Sequence, residues 1–241
     1  MSILIKHHRS PVRNPILAAT VATALLIACS TVETIEPTQP RAEQAGDGHS
    51  PVAPTAPDTR PVVVAYGDSL TAGQRVGRSE TFPSFLQREF DQRGKGFRVV
   101  NEGISGDTTA VALSRIDAAI AHQPAWVIVA LGANDGLRGL PLDAMEHNLR
   151  EIIRQFRQAG ARVVLAGMKL PRNYGPEYVR DFDGVYPRLA EELDLPLIPF
   201  LLENVAMVPE LNNSDGIHPN AEGNKIIARQ VASAFDEFLD E

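Results

Sequence analysis

Ser69 stands in the run Gly67-Asp68-Ser69-Leu70-Thr71, directly after the apolar stretch Val62-Val63-Val64-Ala65-Tyr66, so its hydroxyl sits where a buried strand would emerge. A serine hydroxyl is almost never ionised at neutral pH and attacks a carbonyl only when a neighbouring base takes its proton as the bond forms. Near the other end of the chain, Asp215-Gly216-Ile217-His218-Pro219 holds the two residue types that serve this purpose. An imidazole at His218 accepts the proton and returns it to the leaving group, while a carboxylate at Asp215 holds the other ring nitrogen and steadies the transient imidazolium. Gly216 makes feasible the tight turn across which Asp215 and His218 meet. The expected chemistry is that of a serine hydrolase.

These residues need elements to position them. Strand-like apolar runs occur at 62–66, 97–101, 126–131, 163–168 and 197–200, and helical patterns lie between them. Their β-branched content and lack of strict alternation predict strands covered on both faces. Met145, Leu149, Ile152, Ile153 and Phe156 form one helical stripe, with Asp143 and Glu146 as a capping pair and Gly160 beyond its end. Tyr178, Phe182, Val185, Tyr186, Leu189 and Leu193 form a second, and Ile227, Val231, Ala234, Phe235 and Phe238 a third, with Pro219 near its first turn. Strand and helix in alternation imply parallel strands joined by right-handed crossovers, hence a three-layer α/β/α sandwich on a five-stranded parallel sheet. Such sheets bind ligands at the carboxyl ends of their strands, so the segments 67–71, 102–108, 132–136 and 169–175 are expected to converge.

The first 60 residues differ in character. Lys6, Arg9 and Arg13 precede an apolar stretch from Ile16 to Ala28, 13 residues long, which is short of the ~20 that span a bilayer as a helix. The pattern reads as an export signal over 1–28. Leu26-Ile27-Ala28-Cys29 resembles the bacterial lipoprotein box, which implies cleavage before Cys29 and lipid attachment to its thiol. Cys29 is the only cysteine, so the chain can form no internal disulfide and no cysteine cluster for a metal. Residues 29–60 are rich in Pro, Thr, Ala and Glu and read as a disordered tether between a membrane anchor and a domain over 61–241. Without the signal, 20 basic residues face 30 acidic ones, a balance that disfavours nucleic acid as a partner. The histidines outside the Asp215 segment do not converge in any metal-binding pattern, and neither metal nor nucleotide motifs occur, so no cofactor is expected.

Four blocks in order, Gly67-Asp68-Ser69-Leu70, Gly103-Ile104-Ser105-Gly106-Asp107, Gly132-Ala133-Asn134-Asp135 and Asp215-Gly216-Ile217-His218, resemble those of the GDSL or SGNH hydrolase superfamily. The likeness covers essentially all of 61–241. Asn134-Asp135-Gly136-Leu137-Arg138-Gly139 and Leu170-Pro171-Arg172-Asn173-Tyr174-Gly175 are similar to the bacterial periplasmic thioesterase, lysophospholipase and arylesterase branch. Although the order Ser, Asp, His matches the α/β-hydrolases, Gly67-Asp68-Ser69 is not their Gly-x-Ser-x-Gly elbow, which favours a flavodoxin-like relative.

The resemblance implies Ser69, Asp215 and His218 as the catalytic set. It assigns the oxyanion hole to the backbone N–H of Ser69, the backbone N–H of Gly106 and the side-chain amide of Asn134, donors that stabilise the charged intermediate more than the neutral substrate. Leu137, Leu170 and Pro171 are expected to line an apolar acyl groove beside Ser69, with Arg138 or Arg172 available to a substrate phosphate or carboxylate. Taken singly, these residues have plainer readings: Ser69 as a helix cap, Asn134 to Gly136 as a turn, Asp68 as a brace of the loop. The expected activity is hydrolysis of carboxylic esters, with thioesters or lysophospholipids included, through an acyl-enzyme. A cell-envelope carbohydrate O-acetylesterase and a non-catalytic lipoprotein that binds acylated ligands are the alternatives. The anchor implies an exported protein, attached by default to the outer membrane and facing the periplasm, and the oligomeric state is left open.

Overall fold

The computed structural model describes residues 58–240; the expected signal, Cys29 and all of the tether up to residue 57 lie outside that range. Fourteen elements follow in chain order: β1 (Val62–Gly67), α1 (Ser69–Ala72), α2 (Phe82–Gln92), β2 (Arg98–Gly103), α3 (Thr109–Ser114), α4 (Ile116–Ile120), β3 (Trp126–Ala130), α5 (Ala133–Leu137), α6 (Leu142–Gln158), β4 (Arg162–Ala166), α7 (Pro176–Asp183), α8 (Val185–Leu193), β5 (Leu197–Ile198) and α9 (Ala221–Asp240). The five strands form one sheet in the order β2-β1-β3-β4-β5, with every pairing parallel. This is the doubly wound order, and its switch point lies where β1 is flanked by β2 and β3.

Both faces of the sheet are covered, which is why β1 and β3 read as continuous apolar runs. All of β1 and β3 is buried. Trp126 of β3 meets Phe235 of α9 with ring centroids 5.3 Å apart, and Phe235 in turn meets Phe90 of α2 at 5.4 Å. On the opposite face Tyr66 of β1 meets Phe156 of α6 edge-on at 5.2 Å. Such contacts add about 1 kcal/mol each to the area they bury.

Several local expectations need correction. Helix α6 begins after Pro141 with no side-chain cap; Glu146 turns away from Asp143 and pairs instead with Arg150 and Arg188. Arg188 lies on α8, so Glu146 joins two helices that adjacent positions in sequence could not have revealed. The stripe from Tyr178 to Leu193 is two helices broken at Gly184. The fifth strand is only Leu197–Ile198, and Phe200 serves the cavity described below. The last helix starts two residues after Pro219, with the side chain of Asn220 accepting from the N–H groups of Glu222 and Gly223.

Candidate active site

The segments after the first four strands converge as the topology requires. Asp68 and Ser69 after β1, Gly106 after β2, Ala133 and Asn134 after β3, and Lys169 to Asn173 after β4 all border one cavity of about 740 Å³, together with His218.

Asp68, not Ser69, caps α1: its Oδ1 accepts from Leu70 N–H at 3.0 Å. Ser69 is therefore the first residue of α1 with its hydroxyl free for another partner. That partner is His218, whose Nε2 lies 2.9 Å from Ser69 Oγ. The other ring nitrogen, Nδ1, lies 3.0 Å from Asp215 Oδ2. With Asp215 ionised, Nδ1 carries the proton and donates to the carboxylate, which leaves Nε2 to accept from the serine. The structure thus brings together Ser69, Asp215 and His218, three side chains drawn from positions 149 residues apart at the extremes.

Asp215 is held ionised by its own loop. Its Oδ1 accepts from the N–H groups of Ile217 and His218, each at 3.0 Å. Those backbone donors, His218 first and Ile217 next, and then the His218 ring, push the Asp215 carboxyl well below the usual carboxylate range. Gly216 takes φ +70°, a left-handed conformation that allows the loop to turn back on itself. Arg75 Nε also reaches Asp215 Oδ2 at 3.0 Å.

The three expected oxyanion donors border the same cavity. Ser69 N–H has no partner within α1 because it opens the helix, and among the described residues neither it nor Gly106 N–H donates elsewhere. Gly106 adopts φ +87°, and a Cβ there would be strained whatever the space around it. Asn134 Nδ2 donates to Asp68 Oδ2 at 3.1 Å, so one amide hydrogen fixes the side chain while the second remains for an oxyanion. Asp68 therefore braces both the cap of α1 and the amide of Asn134. Burial pushes its carboxyl up to about 6, against the opposing effects of Leu70 N–H, the nearby His218 ring and Asn134.

Leu137, Leu170 and Pro171 all line the cavity, and Met168, Phe200, Leu202, Met207 and Ile217 extend its apolar wall. Phe200, Leu202 and Met207 escape sequence reasoning because the segment 200–207 has no periodicity. Arg172 lines the cavity as well. Arg138 does not stand free: its Nη2 donates to Gly106 O at 2.7 Å, tying the end of α5 to the loop after β2.

A second layer of buried polar contacts holds the loops. Asp135 is no mere turn residue: its two oxygens accept from Thr109 N–H at 2.9 Å and Thr109 Oγ1 at 2.7 Å. Arg115 Nε donates to Asp107 at 2.6 Å, and its Nη2 reaches Gly67 O at 3.1 Å and Glu102 O at 3.0 Å, linking the ends of β1 and β2. Asp107 and Asp135 fall inside the matched blocks, and that was the only available signal for them; Thr109 and Arg115 carried none. Among the described residues no cluster of His, Cys, Asp and Glu is arranged to hold a metal.

Residues 65–226 match the model of the GDSL-like Lipase/Acylhydrolase family. The chain belongs to that family. Thioesterase 1/protease 1/lysophospholipase L1 of Escherichia coli (strain K12) is 42% identical over 179 residues, a match covering 74% of this chain and 85% of the relative. Arylesterase of Vibrio mimicus is 40% identical over 178 residues, covering 73% and 89% respectively. The psychrotrophic esterase EstA from Pseudoalteromonas sp., in a structure inhibited by monoethylphosphonate, superposes with a TM-score of 0.71 at 30% identity, over 75% of this chain and 99% of that one. The family match of this GDSL-like acylhydrolase runs from β1 into α9, and residues 1–60 lie before it.

Proposed function

We propose that this GDSL-like acylhydrolase hydrolyses carboxylic esters, thioesters and lysophospholipids through an acyl-enzyme on Ser69. The chain is a carboxylic ester hydrolase by family, and its relatives carry the names thioesterase, lysophospholipase and arylesterase. His218 takes the Ser69 proton as Oγ attacks the acyl carbon, then delivers it to the leaving alcohol or thiol. Water repeats the sequence in reverse to release the acid. Ser69 N–H, Gly106 N–H and the Asn134 amide stabilise the oxyanion in both halves.

The observation that carries this reading is the unbroken contact from Ser69 Oγ through His218 to Asp215, at 2.9 and 3.0 Å, on the border of a largely apolar cavity. A cavity of about 740 Å³ lined by Leu137, Leu170, Pro171 and Phe200 exceeds what acetate needs and favours medium acyl chains by the burial of each methylene, about 0.8 kcal/mol. The test is a panel of aryl esters, acyl-CoA thioesters, lysophospholipids and acetylated sugars on wild type and Ser69→Ala. The expected result is a kcat/KM that climbs from acetyl to medium acyl chains and is abolished in the variant. Wild-type turnover in Ser69→Ala would overturn the nucleophile assignment, and activity confined to acetylated sugars would favour the O-acetylesterase.

The Leu26-Ile27-Ala28-Cys29 segment supports a further reading: cleavage before Cys29, acylation of that residue, and a tether over 29–60 that holds the hydrolase domain at an outer membrane facing the periplasm. Attachment by two or three acyl chains is stable, whereas a single chain binds only marginally.

A further inference from the structure

The loop that carries Asp215 and His218 is braced almost wholly from within. Asn213 N–H donates to His218 O at 2.8 Å and Gly216 N–H to Asn213 O at 2.9 Å. Asn212 Nδ2 reaches the carbonyls of Val205 and Val208, each at 2.7 Å, and Asn213 Nδ2 that of Pro219 at 3.2 Å. All of these partners belong to the same stretch of chain. Among the described residues, only two polar contacts join residues 212–218 to the chain outside 205–224. One is His218 Nε2 with Ser69 Oγ at 2.9 Å; the other is the ion pair of Arg75 Nε with Asp215 Oδ2 at 3.0 Å. Arg75 lies just beyond α1 and takes φ +68°, a left-handed conformation that costs a side-chain-bearing residue free energy and is kept where surrounding structure enforces it.

These two contacts do not survive the reaction equally. Once Ser69 Oγ carries an acyl group its hydrogen is gone, and the donor that held Nε2 no longer exists. The imidazole must still be aimed, because it next takes a proton from water. We propose that Arg75 is a positioning residue for deacylation, its guanidinium latching the loop of Asp215 and His218 to the helix of Ser69 while the serine is esterified. This rests on the acyl-enzyme reading above. In that half-reaction the water oxygen bonds to the acyl carbon as one water proton passes to Nε2. The bond from the acyl carbon to Oγ then breaks, the acid leaves, and Nε2 returns the proton to Oγ. Acylation depends less on Arg75, because the Ser69 to His218 contact already closes the gap at its start.

Charge works against positioning here, since a cation beside Oδ2 weakens the hold of the carboxylate on an imidazolium. The Arg75 side chain is 54% exposed, so solvent screens that opposition. A misplaced base is the costlier fault, and positioning wins.

Stopped-flow hydrolysis of p-nitrophenyl butyrate by wild type, Arg75→Gln and Arg75→Lys separates the half-reactions, the burst reporting acylation and the steady phase deacylation. In Arg75→Gln deacylation is expected to slow about 10-fold and acylation by less than about 2-fold, so that kcat and KM fall together while kcat/KM holds. Arg75→Lys is expected to recover deacylation to within about 3-fold of wild type, because an ammonium can still meet Oδ2 without the guanidinium fork. Near-normal acylation in the same variant shows that it is folded. Deacylation at the wild-type rate in Arg75→Gln, or both steps slowed by one factor, would overturn the latch while leaving the acyl-enzyme intact. Quenched wild-type protein with no acyl group on Ser69 by mass spectrometry would instead remove the acyl-enzyme reading, and the latch with it.

Discussion

Asp68 and Asp215 are two carboxylates near one imidazole, and their environments push them in opposite directions. Backbone N–H donors hold the Asp215 carboxyl well below the usual carboxylate range, so it keeps its charge far into acid. Asp68 is buried, and its carboxyl is raised from 3.8 to about 6. A group raised on folding favours the folded state fully below its unfolded value, and that contribution disappears as pH climbs through the folded one. The contribution of Asp68 is therefore present below about 3.8 and lost by about 6. Asp68→Asn removes the titration and also an acceptor, a cost that does not vary with pH. Melting temperatures of variant and wild type between pH 4 and pH 7 are expected to shift relative to each other in favour of the variant as pH rises; parallel curves would show that Asp68 does not titrate in this window.

At the scale of elements, the site depends on short helices whose ends are pinned by side chains from elsewhere. Helix α3 spans only six residues, too few to be stable alone. Its first residue, Thr109, gives both its N–H and its hydroxyl to Asp135. Asp135→Ala would leave two buried donors without a partner, at about 2 to 4 kcal/mol. For a domain of this size that is a fall of roughly 5 to 15 °C in Tm, measurable by calorimetry, and kcat should drop as the Gly106 loop loosens. An unchanged Tm would mean that water replaces the lost acceptor, since Asn148 Nδ2 is itself a donor to Thr109 Oγ1 at 3.1 Å and cannot. The strands were legible as continuous apolar runs, because both faces of the sheet are covered, and the amphipathic helices because burial of one face imposes a period on sequence. The break at Gly184 was not, because the stripe of apolar residues continues across it from one helix to the next.

For the whole molecule, the proposed anchor and tether bear on where the hydrolase works and not on its chemistry. Cys29→Ala is expected to leave kcat/KM on soluble aryl esters within about 2-fold and to move the protein from the membrane fraction to the soluble fraction, since removing every acyl chain removes the burial that holds it there. Metabolic labelling with a radioactive fatty acid checks the attachment site: label retained by the variant would exclude Cys29.

Residue types and their order along the chain determined the chemistry available to this protein and the class of sheet that displays it. Ser69, His218 and Asp215, the proposed nucleophile, base and orienting carboxylate, stand in short local blocks, and a buried parallel strand writes its burial directly into contiguous apolar residues. Tertiary structure alone decided which polar groups meet across those blocks, Arg75 with Asp215, Asp135 with Thr109 and Arg138 with the Gly106 carbonyl, and that Phe200 lines the cavity. An arginine that braces an active-site loop and one that is merely solvated are the same letter in a sequence. Hydrogen bonds and ion pairs between distant segments impose no periodicity on the chain, so they become visible only when the fold sets donor and acceptor within 3 Å or so of each other.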